Sequence, residues 1–444
     1  MEDKPYILMI NSDKSVIPMS NVKTIMEQNE QPAHPVKLFG MPAEKGRWVF
    51  VILGLIINLC LGSIYSWSVF RLPLQKMFAV DATASLLPFI IFLALFAFVM
   101  PFAGGPLDKY GPRNLTILGG ITVGIGWILA SQSTSMVMLT LAYGIIGGAG
   151  VGIAYNAPIG VSGRWFPDRR GLAVGLTVLG FGLSPLVTAP LANFAISTYG
   201  ALPTLGYLGI VFLVLIVLLG LPLRFPPAEW KPSGWVPKAS AVQCADLTRP
   251  EMVKTKGFWG LWIGFVIGTL AGLMAIGISS PVGQEVFKLS AATAAALTGV
   301  FAIFNGIGRP IFGYLVDRIN PRNTAMLSFG IIFLAAAFLG FGAAPGATAL
   351  YIAGFAALWL CLGGWLAIAP ACTAAYCGTK YYGPNYGLVF TAYGVGAIIG
   401  NLLAGRLRDI VGSYVAVFYP VAILAVIGIA MAYLLICPPT TKQK

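Results

Sequence analysis

From residue 47 onward, long apolar stretches alternate with short polar ones. Twelve of the apolar stretches approach the roughly 20 residues that an α-helix needs to cross a bilayer. This pattern predicts an all-α membrane protein with twelve transmembrane helices. The predicted helices are 47–75, 83–106, 114–132, 137–162, 170–198, 202–224, 256–283, 291–316, 323–342, 347–376, 385–408 and 413–437.

The polar stretches outside these segments divide the chain. Residues 1–46 are mixed and polar, and we expect a cytoplasmic, largely disordered N-terminal tail. Residues 225–255, rich in proline, lysine and polar side chains, predict a cytoplasmic linker between a six-helix half at 47–224 and a second at 256–437. The last residues, 438–444, predict a cytoplasmic C-terminal tail.

Composition supports the membrane prediction. The 444 residues are 57% hydrophobic and only 10% charged, which is too little charge for the surface of a soluble protein of this size. The 54 glycines fit membrane helices that pack backbone against backbone. The six cysteines mostly lie in apolar stretches without zinc or redox spacing, so we expect no disulfide framework, no metal site and no cofactor.

Lysine and arginine are distributed unevenly between the two sets of loops. Loops after even-numbered helices carry fourteen lysine and arginine residues, whereas loops after odd-numbered helices carry five. The positive-inside rule then predicts a multi-pass protein of the cell (inner) membrane with both termini in the cytoplasm. The net charge of +13 reflects this topology and contact with the lipid bilayer, and without a soluble domain we expect no nucleic-acid partner. The five residues in the sparse set are Arg71, Lys76, Lys288, Arg406 and Arg408.

The two halves contain a repeated turn motif. Gly104–Arg113 (GGPLDKYGPR) and Gly313–Arg322 (GYLVDRINPR) share a glycine, an acid and two bases at the same spacing, 209 residues apart. Asn320 replaces Gly111 where a left-handed turn residue is needed, and asparagine tolerates that conformation better than most residues. Two parallel six-helix repeats predict a transporter that rocks around a midplane site. The charged residues expected to latch the cytoplasmic helix ends are Asp108, Arg113, Asp317, Arg318 and Arg322.

One arginine, Arg309, interrupts the apolar stretch Phe301–Arg318. A cation near the bilayer centre costs at least ~2.5–3.5 kcal/mol, so it normally faces a cavity and marks a substrate path. The alternative is that Arg309 caps carbonyl groups or ties two helices together. Positions four apart share a helix face, so Phe301, Asn305 and Arg309 are expected to point the same way.

Polar side chains near aromatic ones mark further candidates for the same cavity. Tyr386, Phe390 and Tyr393 follow helical spacing and form one stripe, while Tyr155 and Asn156 interrupt a run of small residues. Phenol hydroxyls beside an arginine can bind one carboxylate while their rings contact a short aliphatic tail. The alternative for each aromatic residue is ordinary helix packing or an interfacial belt.

Four stretches, the two repeated turns and two others, resemble a known group of transporters. The repeated Gly-x-x-x-Asp-(Lys/Arg)-x-(Gly/Asn)-x-Arg turns resemble the signature of the major facilitator superfamily, and the resemblance covers residues 47–437. Gly148–Gly175, which contains the distinctive run Arg164–Gly171 (RWFPDRRG), and FNGIGRPIFGYLVDR at 304–318 resemble the bacterial oxalate/formate antiporter family. That family is related to the monocarboxylate transporters.

The resemblance implies specific residue functions. Arg309, which precedes a proline, matches the eighth-helix arginine that binds a substrate carboxylate, and Tyr65 is placed in the cavity. The oxalate carrier adds a lysine where this chain has Tyr393, so the second carboxylate of oxalate would find no cation here. Asn305 stands where animal monocarboxylate transporters have an aspartate, which is a departure from their proton-handling pair.

We therefore predict a monomeric secondary transporter of small monocarboxylates (lactate- or pyruvate-like) that works by proton symport and alternating access. Glu285 is the candidate proton site, the alternative being a solvated loop acid paired with Lys288. A carboxylate exchanger of the oxalate/formate type remains the alternative function.

Three other functions fit the residues less well. Acidic residues do not fall in the middle of any predicted helix, which argues against an exporter of cationic drugs. The membrane segments contain no histidine and no acid pair, which argues against an intramembrane enzyme. A receptor that moves no substrate is compatible with the sequence, and it would be recognised by a failure to transport.

Overall fold

The computed structural model describes residues 36–227, 230–233, 235, 246–378 and 381–437. The predicted tails at 1–35 and 438–444, and the linker stretch 236–245, lie outside the described residues.

Residues 36–48 form a small unit of their own. Strand β1 (Lys37–Leu38) pairs antiparallel with β2 (Met41–Pro42), and a helix begins at Ala43. The turn residues between the strands have positive φ angles, 52° at Phe39 and 77° at Gly40. The expectation of disorder is therefore wrong for this part of the tail, because its backbone is paired across a tight turn.

The remaining described residues are almost entirely helical. The long helices continue through the second unit, residues 49–437, and a short helix lies in the linker region. In chain order the helices are α1 (Ala43–Phe78), α2 (Ala82–Ala130), α3 (Met136–Trp165), α4 (Arg170–Tyr199), α5 (Ala201–Gly220), α6 (Arg249–Val253), α7 (Lys256–Glu285), α8 (Ala291–Gly342), α9 (Thr348–Cys377), α10 (Tyr382–Val411) and α11 (Tyr414–Leu435).

Helices α2 and α8 each supply two membrane crossings. Their 49 and 52 residues would extend about 75 Å if straight, against a bilayer core of about 30 Å. Each helix breaks at one residue, Gly111 (φ 81°) and Asn320 (φ 69°), which confirms the predicted turn positions. The Oδ1 atom of Asn320 also accepts a hydrogen bond from the backbone N–H of Asn323 at 2.9 Å, so it caps the following helix. With the eight other long helices, these two give the twelve predicted crossings.

Two local breaks position side chains at the centre of the bundle. In α1, residues Gly62–Ser66 form a 3₁₀ turn that contains Tyr65. A Cβ atom on Gly62 would lie 2.3 Å from the carbonyl oxygen of Phe181, so α1 approaches the α4 backbone directly. In α3, Tyr155 lies between the helical segments Gly148–Ala154 and Asn156–Trp165.

Candidate functional site

Arg309 is half-buried in α8 and is held at one corner of its guanidinium group. Its Nη1 atom donates a hydrogen bond to the carbonyl oxygen of Val178 on α4, at 2.7 Å. In the described part of the chain, no acceptor meets the buried Nε and Nη2 atoms with hydrogen-bond geometry, and the Tyr155 phenol lies beside the guanidinium group. These two atoms form the edge that binds a carboxylate through two parallel hydrogen bonds. The tie between the helices thus uses Nη1 and leaves the Nε–Nη2 edge available.

Asn305 lies one turn before Arg309 and is fully buried. Its Nδ2 atom donates a hydrogen bond to the carbonyl oxygen of Trp359 on α9, at 3.3 Å. Gly182 of α4 faces both side chains, because a Cβ atom there would lie 2.7 Å from Asn305 Oδ1 and 3.3 Å from Arg309 Nη2. Asn305 and Arg309 therefore share one helix face. Phe301 packs on α9, where its ring stacks on Phe355 at 5.6 Å.

Four tyrosines lie near enough to the Arg309 guanidinium to interact with it. The hydroxyls of Tyr65 on α1 and Tyr393 on α10 are hydrogen-bonded to each other at 2.6 Å and so join the two halves of the bundle. Both side chains are buried, with 1% and 0% exposure. The phenols of Tyr65, Tyr155, Tyr386 and Tyr393 all interact electrostatically with Arg309. Tertiary packing thus collects these four tyrosines from three helices.

Two phenylalanines that the sequence analysis did not select complete this arrangement. The ring centroid of Phe181 lies 5.1 Å from that of Tyr65 and 5.3 Å from that of Tyr155. The Phe96 ring lies 5.1 Å from Tyr155 and 5.8 Å from Tyr393. In the sequence, Phe181 could have been recognised by the glycines on either side of it, Gly180 and Gly182, which let α4 approach neighbouring helices closely. We call the aromatic cluster the six residues Tyr65, Phe96, Tyr155, Phe181, Phe390 and Tyr393.

The remaining candidates occupy different surroundings. Phe390 stacks on Tyr393 with centroids 5.0 Å apart and is 2% exposed. Tyr386 extends the stripe, 5.8 Å from Phe390. Asn156 is half-buried at the start of its helical segment, directly after Tyr155.

The end of the bundle that carries Gly111, Asn320 and the linker is called here the linker end. Asp108 forms an ion pair with Arg164, an arginine not predicted to take part in the latch. The guanidinium of Arg318 lies 5.3 Å from the ring centroid of Tyr314. The guanidinium of Arg322 lies 4.2 Å from the ring centroid of Tyr433. Arg113 and Asp317 are exposed. Among the described residues, these contacts stay within one half, so a latch between the halves remains a prediction.

The opposite end of the bundle, called the distal end, is closed by hydrogen bonds between the halves. Ser68 Oγ on α1 lies 3.0 Å from Ser279 Oγ on α7. The carboxylate of Asp409 on α10 accepts hydrogen bonds from the backbone N–H groups of Ala82 and Thr83, both at 2.9 Å. These contacts connect the start of α2 to the second half.

Glu285 also lies at the distal end. Its Oε2 atom accepts a hydrogen bond from Nε of Arg408 at 2.8 Å, and the two side chains are 27% and 30% exposed. The predicted partner Lys288 is therefore wrong. Lys288 lies in the turn after α7 with φ 59°, whereas Arg408 reaches Glu285 from the adjacent helix α10.

Arg71 is fully buried inside α1, within the predicted helix 47–75. Counting it among the loop charges was therefore wrong. Its guanidinium donates to Ser85, Ala82, Gly277 and Tyr414. A charge count cannot reveal this burial, because Arg71 lies at the edge of an apolar segment and its partners come from distant segments.

Twelve crossings in two repeated halves, with a buried polar site where the halves meet, define a membrane transporter rather than an enzyme. The model of the Major Facilitator Superfamily matches residues 51–383. The oxalate:formate antiporter of Oxalobacter formigenes is 31% identical over 387 residues, 87% of this chain and 90% of that protein. Monocarboxylate transporter 13 of Rattus norvegicus is 27% identical over 375 residues, 84% of each chain.

A solved structure has the same fold. The bacterial homologue of the human lysosomal transporter Spinster, in an inward-facing and occupied conformation, aligns with a TM-score of 0.66 and 18% identity, covering 87% of this chain and 96% of that one. The chain belongs to the major facilitator superfamily, as the repeated turns predicted, and is related to the oxalate:formate antiporter and to monocarboxylate transporters.

Proposed function

We propose that this protein carries small monocarboxylates across a membrane by alternating access, with Arg309 as the carboxylate-binding residue. The observation that carries the proposal is the open Nε–Nη2 edge of Arg309 beside the aromatic cluster. A buried charged donor without a partner is costly, and a bound carboxylate removes that cost with two charge-assisted hydrogen bonds. The rings of the cluster supply apolar contact for a short aliphatic tail. The names of the two curated relatives support a carboxylate substrate.

Tyr393 supports a substrate with one carboxylate rather than two. Its hydroxyl is hydrogen-bonded to that of Tyr65 and its ring is close enough to interact with Arg309, so this position presents a neutral phenol to the site. The second carboxylate of oxalate would lie in the cluster without a cation. Lactate and pyruvate carry one carboxylate and a short tail, and they match both features.

The direct test is a competition panel in proteoliposomes. Unlabelled formate, acetate, lactate, pyruvate, glycolate and oxalate compete against labelled lactate. We expect the short monocarboxylates to compete more strongly than oxalate. Stronger competition by oxalate would contradict the single-carboxylate proposal, and no uptake of any of these anions would favour a receptor that moves no substrate.

Replacing Tyr393 with lysine should shift selectivity toward dicarboxylates. A second cation in the site would pair with a second carboxylate, and we expect inhibition by oxalate to strengthen about tenfold, which corresponds to ~1.4 kcal/mol. Tyr393→Phe is the matched control, since it removes the hydrogen bond to Tyr65 without adding a charge. Equal oxalate inhibition in the lysine variant and the unmodified protein would refute this explanation of selectivity.

We further propose that transport is coupled to protons. A carboxylic acid with a pKa near ~4 is almost wholly ionised at neutral pH. Moving the anion against an interior-negative potential costs about 2.3 kcal/mol per 100 mV, so concentrative uptake needs a co-transported proton or an exchanged anion. Glu285 is the proposed proton site, and it lies at the distal end, where its carboxylate is paired with Arg408 of the same half.

Coupling is tested by imposing an inward proton gradient on vesicles that contain no substrate. We expect accumulation of labelled lactate without an internal anion. Glu285→Gln should abolish this stimulation while leaving exchange of labelled for unlabelled lactate. Uptake that requires preloading with a carboxylate would establish the alternative, anion exchange, which the relationship to the oxalate:formate antiporter favours.

The cellular setting is part of the same proposal. We place the protein in the cytoplasmic membrane, with the linker end and both termini in the cytoplasm, because the basic loops lie at that end. In this orientation the closed distal end faces outward. Arg309 and the aromatic cluster come from one chain, so the proposed site needs no residue of a second copy.

A further inference from the structure

Arg71 is a second buried arginine, and its surroundings differ from those of Arg309. It is 0% exposed, and all three guanidinium nitrogens donate hydrogen bonds. Its acceptors are two backbone carbonyls and two hydroxyls, so its charge has no carboxylate in direct contact among the described residues. In the closed structure the buried charge is therefore stabilised by hydrogen bonds to neutral acceptors.

The acceptors of Arg71 divide between the two halves. Ser85 Oγ accepts from Nε at 3.2 Å and from Nη2 at 2.9 Å, and the carbonyl of Ala82 accepts from Nη2 at 3.1 Å. These partners lie in α2, in the same half as Arg71. The carbonyl of Gly277 accepts from Nη1 at 3.1 Å, and the Tyr414 hydroxyl accepts from Nη2 at 2.8 Å. These partners belong to the second half.

Opening the distal end would therefore separate the two sets of contacts. The bonds to Ala82 and Ser85 keep the guanidinium in place, since Arg71 and both partners move together. The bonds to Gly277 and Tyr414 break, which leaves Nη1 without an acceptor and Nη2 with one fewer. The opened rim would then present a pre-positioned cation with unpaired N–H groups.

The nearby charges separate in the same motion. Asp409, Glu285 and Arg408 all belong to the second half, where Glu285 and Arg408 form an ion pair. Asp409 contacts Ala82 and Thr83 across the boundary, so these hydrogen bonds also break on opening. The rim of the first half keeps the positive charge of Arg71, whereas the charges of Glu285 and Arg408 stay paired with each other in the second half.

We propose that Arg71 is a second anion-binding site, which captures the substrate carboxylate when the distal end is open and before it reaches Arg309. This inference rests on the proposed function. When the distal end closes, the Gly277 carbonyl and the Tyr414 hydroxyl accept hydrogen bonds from the same Arg71 N–H groups. Carboxylate binding at Arg71 and closure are therefore mutually exclusive. The substrate must leave the rim for the central site before the transporter can close.

The test uses three variants that all weaken distal closure but change the charge differently. Arg71→Gln removes a positive charge, Asp409→Asn removes a negative charge, and Tyr414→Phe removes only a hydroxyl. The KM for labelled lactate is measured in right-side-out and inverted membrane vesicles, at low and at high ionic strength. A rim cation raises the encounter rate of an anion, so we expect Arg71→Gln to raise the KM for lactate about tenfold from one side only. On that side, the KM of the variant should also depend less on ionic strength.

The controls separate capture from closure. Tyr414→Phe and Asp409→Asn should not raise KM on the affected side, and Arg71→Lys should restore part of the salt dependence because it keeps the charge. If all three closure variants change KM in the same direction from both sides, Arg71 acts only in closure and the capture site is refuted. An unmodified protein that transports no monocarboxylate would instead overturn the proposed function, and this inference with it. Equilibrium lactate binding by purified Arg71→Gln protein verifies that the central site is folded.

Discussion

Arg309→Gln is expected to abolish measurable substrate binding while the protein remains folded. Glutamine has no charge and cannot present the Nε–Nη2 edge that is open in the structure. Two charge-assisted hydrogen bonds at about 1.5–3 kcal/mol each correspond to a loss of affinity of more than about a hundredfold. Arg309→Lys should also impair binding strongly, because an ammonium group cannot reproduce the two-pronged contact. Equilibrium binding of labelled lactate to purified protein measures both effects.

Arg406→Gln is the matched control for this loss of charge. Arg406 lies exposed on α10, and its replacement should leave lactate binding intact. Thermal unfolding of each variant verifies folding, since Arg309 also ties α8 to the Val178 carbonyl through Nη1. Near-normal uptake by a well-folded Arg309→Gln protein would refute the assignment of Arg309.

Gly363→Ala is expected to have a similarly large effect on the site through packing alone. A Cβ atom at position 363 would lie 2.0 Å from the backbone oxygen of Asn305, and a backbone atom inside a helix cannot move aside alone. Overpacking typically costs about 1–3 kcal/mol, and here relief requires a shift of α8 against α9. Because Arg309 is one turn from Asn305, we expect both a lower unfolding temperature and a loss of lactate binding.

Gly330→Ala provides the comparison within α8. A Cβ atom at position 330 meets no atom within 4 Å, so alanine should be neutral or stabilising by up to about 1 kcal/mol. Thermal unfolding in detergent and equilibrium lactate binding are measured for both alanine variants. An unchanged unfolding temperature with normal binding in Gly363→Ala would contradict the close α8–α9 contact.

The fold was largely predictable from the sequence because bilayer thickness determines helix length. The twelve crossings, the repeated turns and the residues at which α2 and α8 break could all be assigned from local pattern. The positive φ at Asn320 is a property of one residue and its neighbours, so the repeat was sufficient to predict it. The hairpin at 37–42 escaped prediction because its strands are only two residues long.

The candidate site was predicted in part. Helical spacing placed Asn305 and Arg309 on one face, and the tyrosines interrupted runs of small residues clearly enough to be selected. Phe96 and Phe181 were missed because phenylalanine is common throughout these apolar helices, and only contacts between helices distinguish the two. The partner of Glu285 was also assigned wrongly, since a neighbour three residues away in sequence was chosen over Arg408 on another helix.

The two arginines show what the sequence alone determines and what requires the tertiary structure. Sequence determined that Arg309 lies within a membrane helix, because its neighbours on both sides are apolar. Only the tertiary structure separates Arg71, whose three nitrogens all have acceptors, from Arg309, whose Nε and Nη2 have none among the described residues. Those acceptors come from segments up to 343 residues away in the chain. The free energy of a buried guanidinium depends on such acceptors, and local sequence does not encode which distant carbonyl or hydroxyl will reach it.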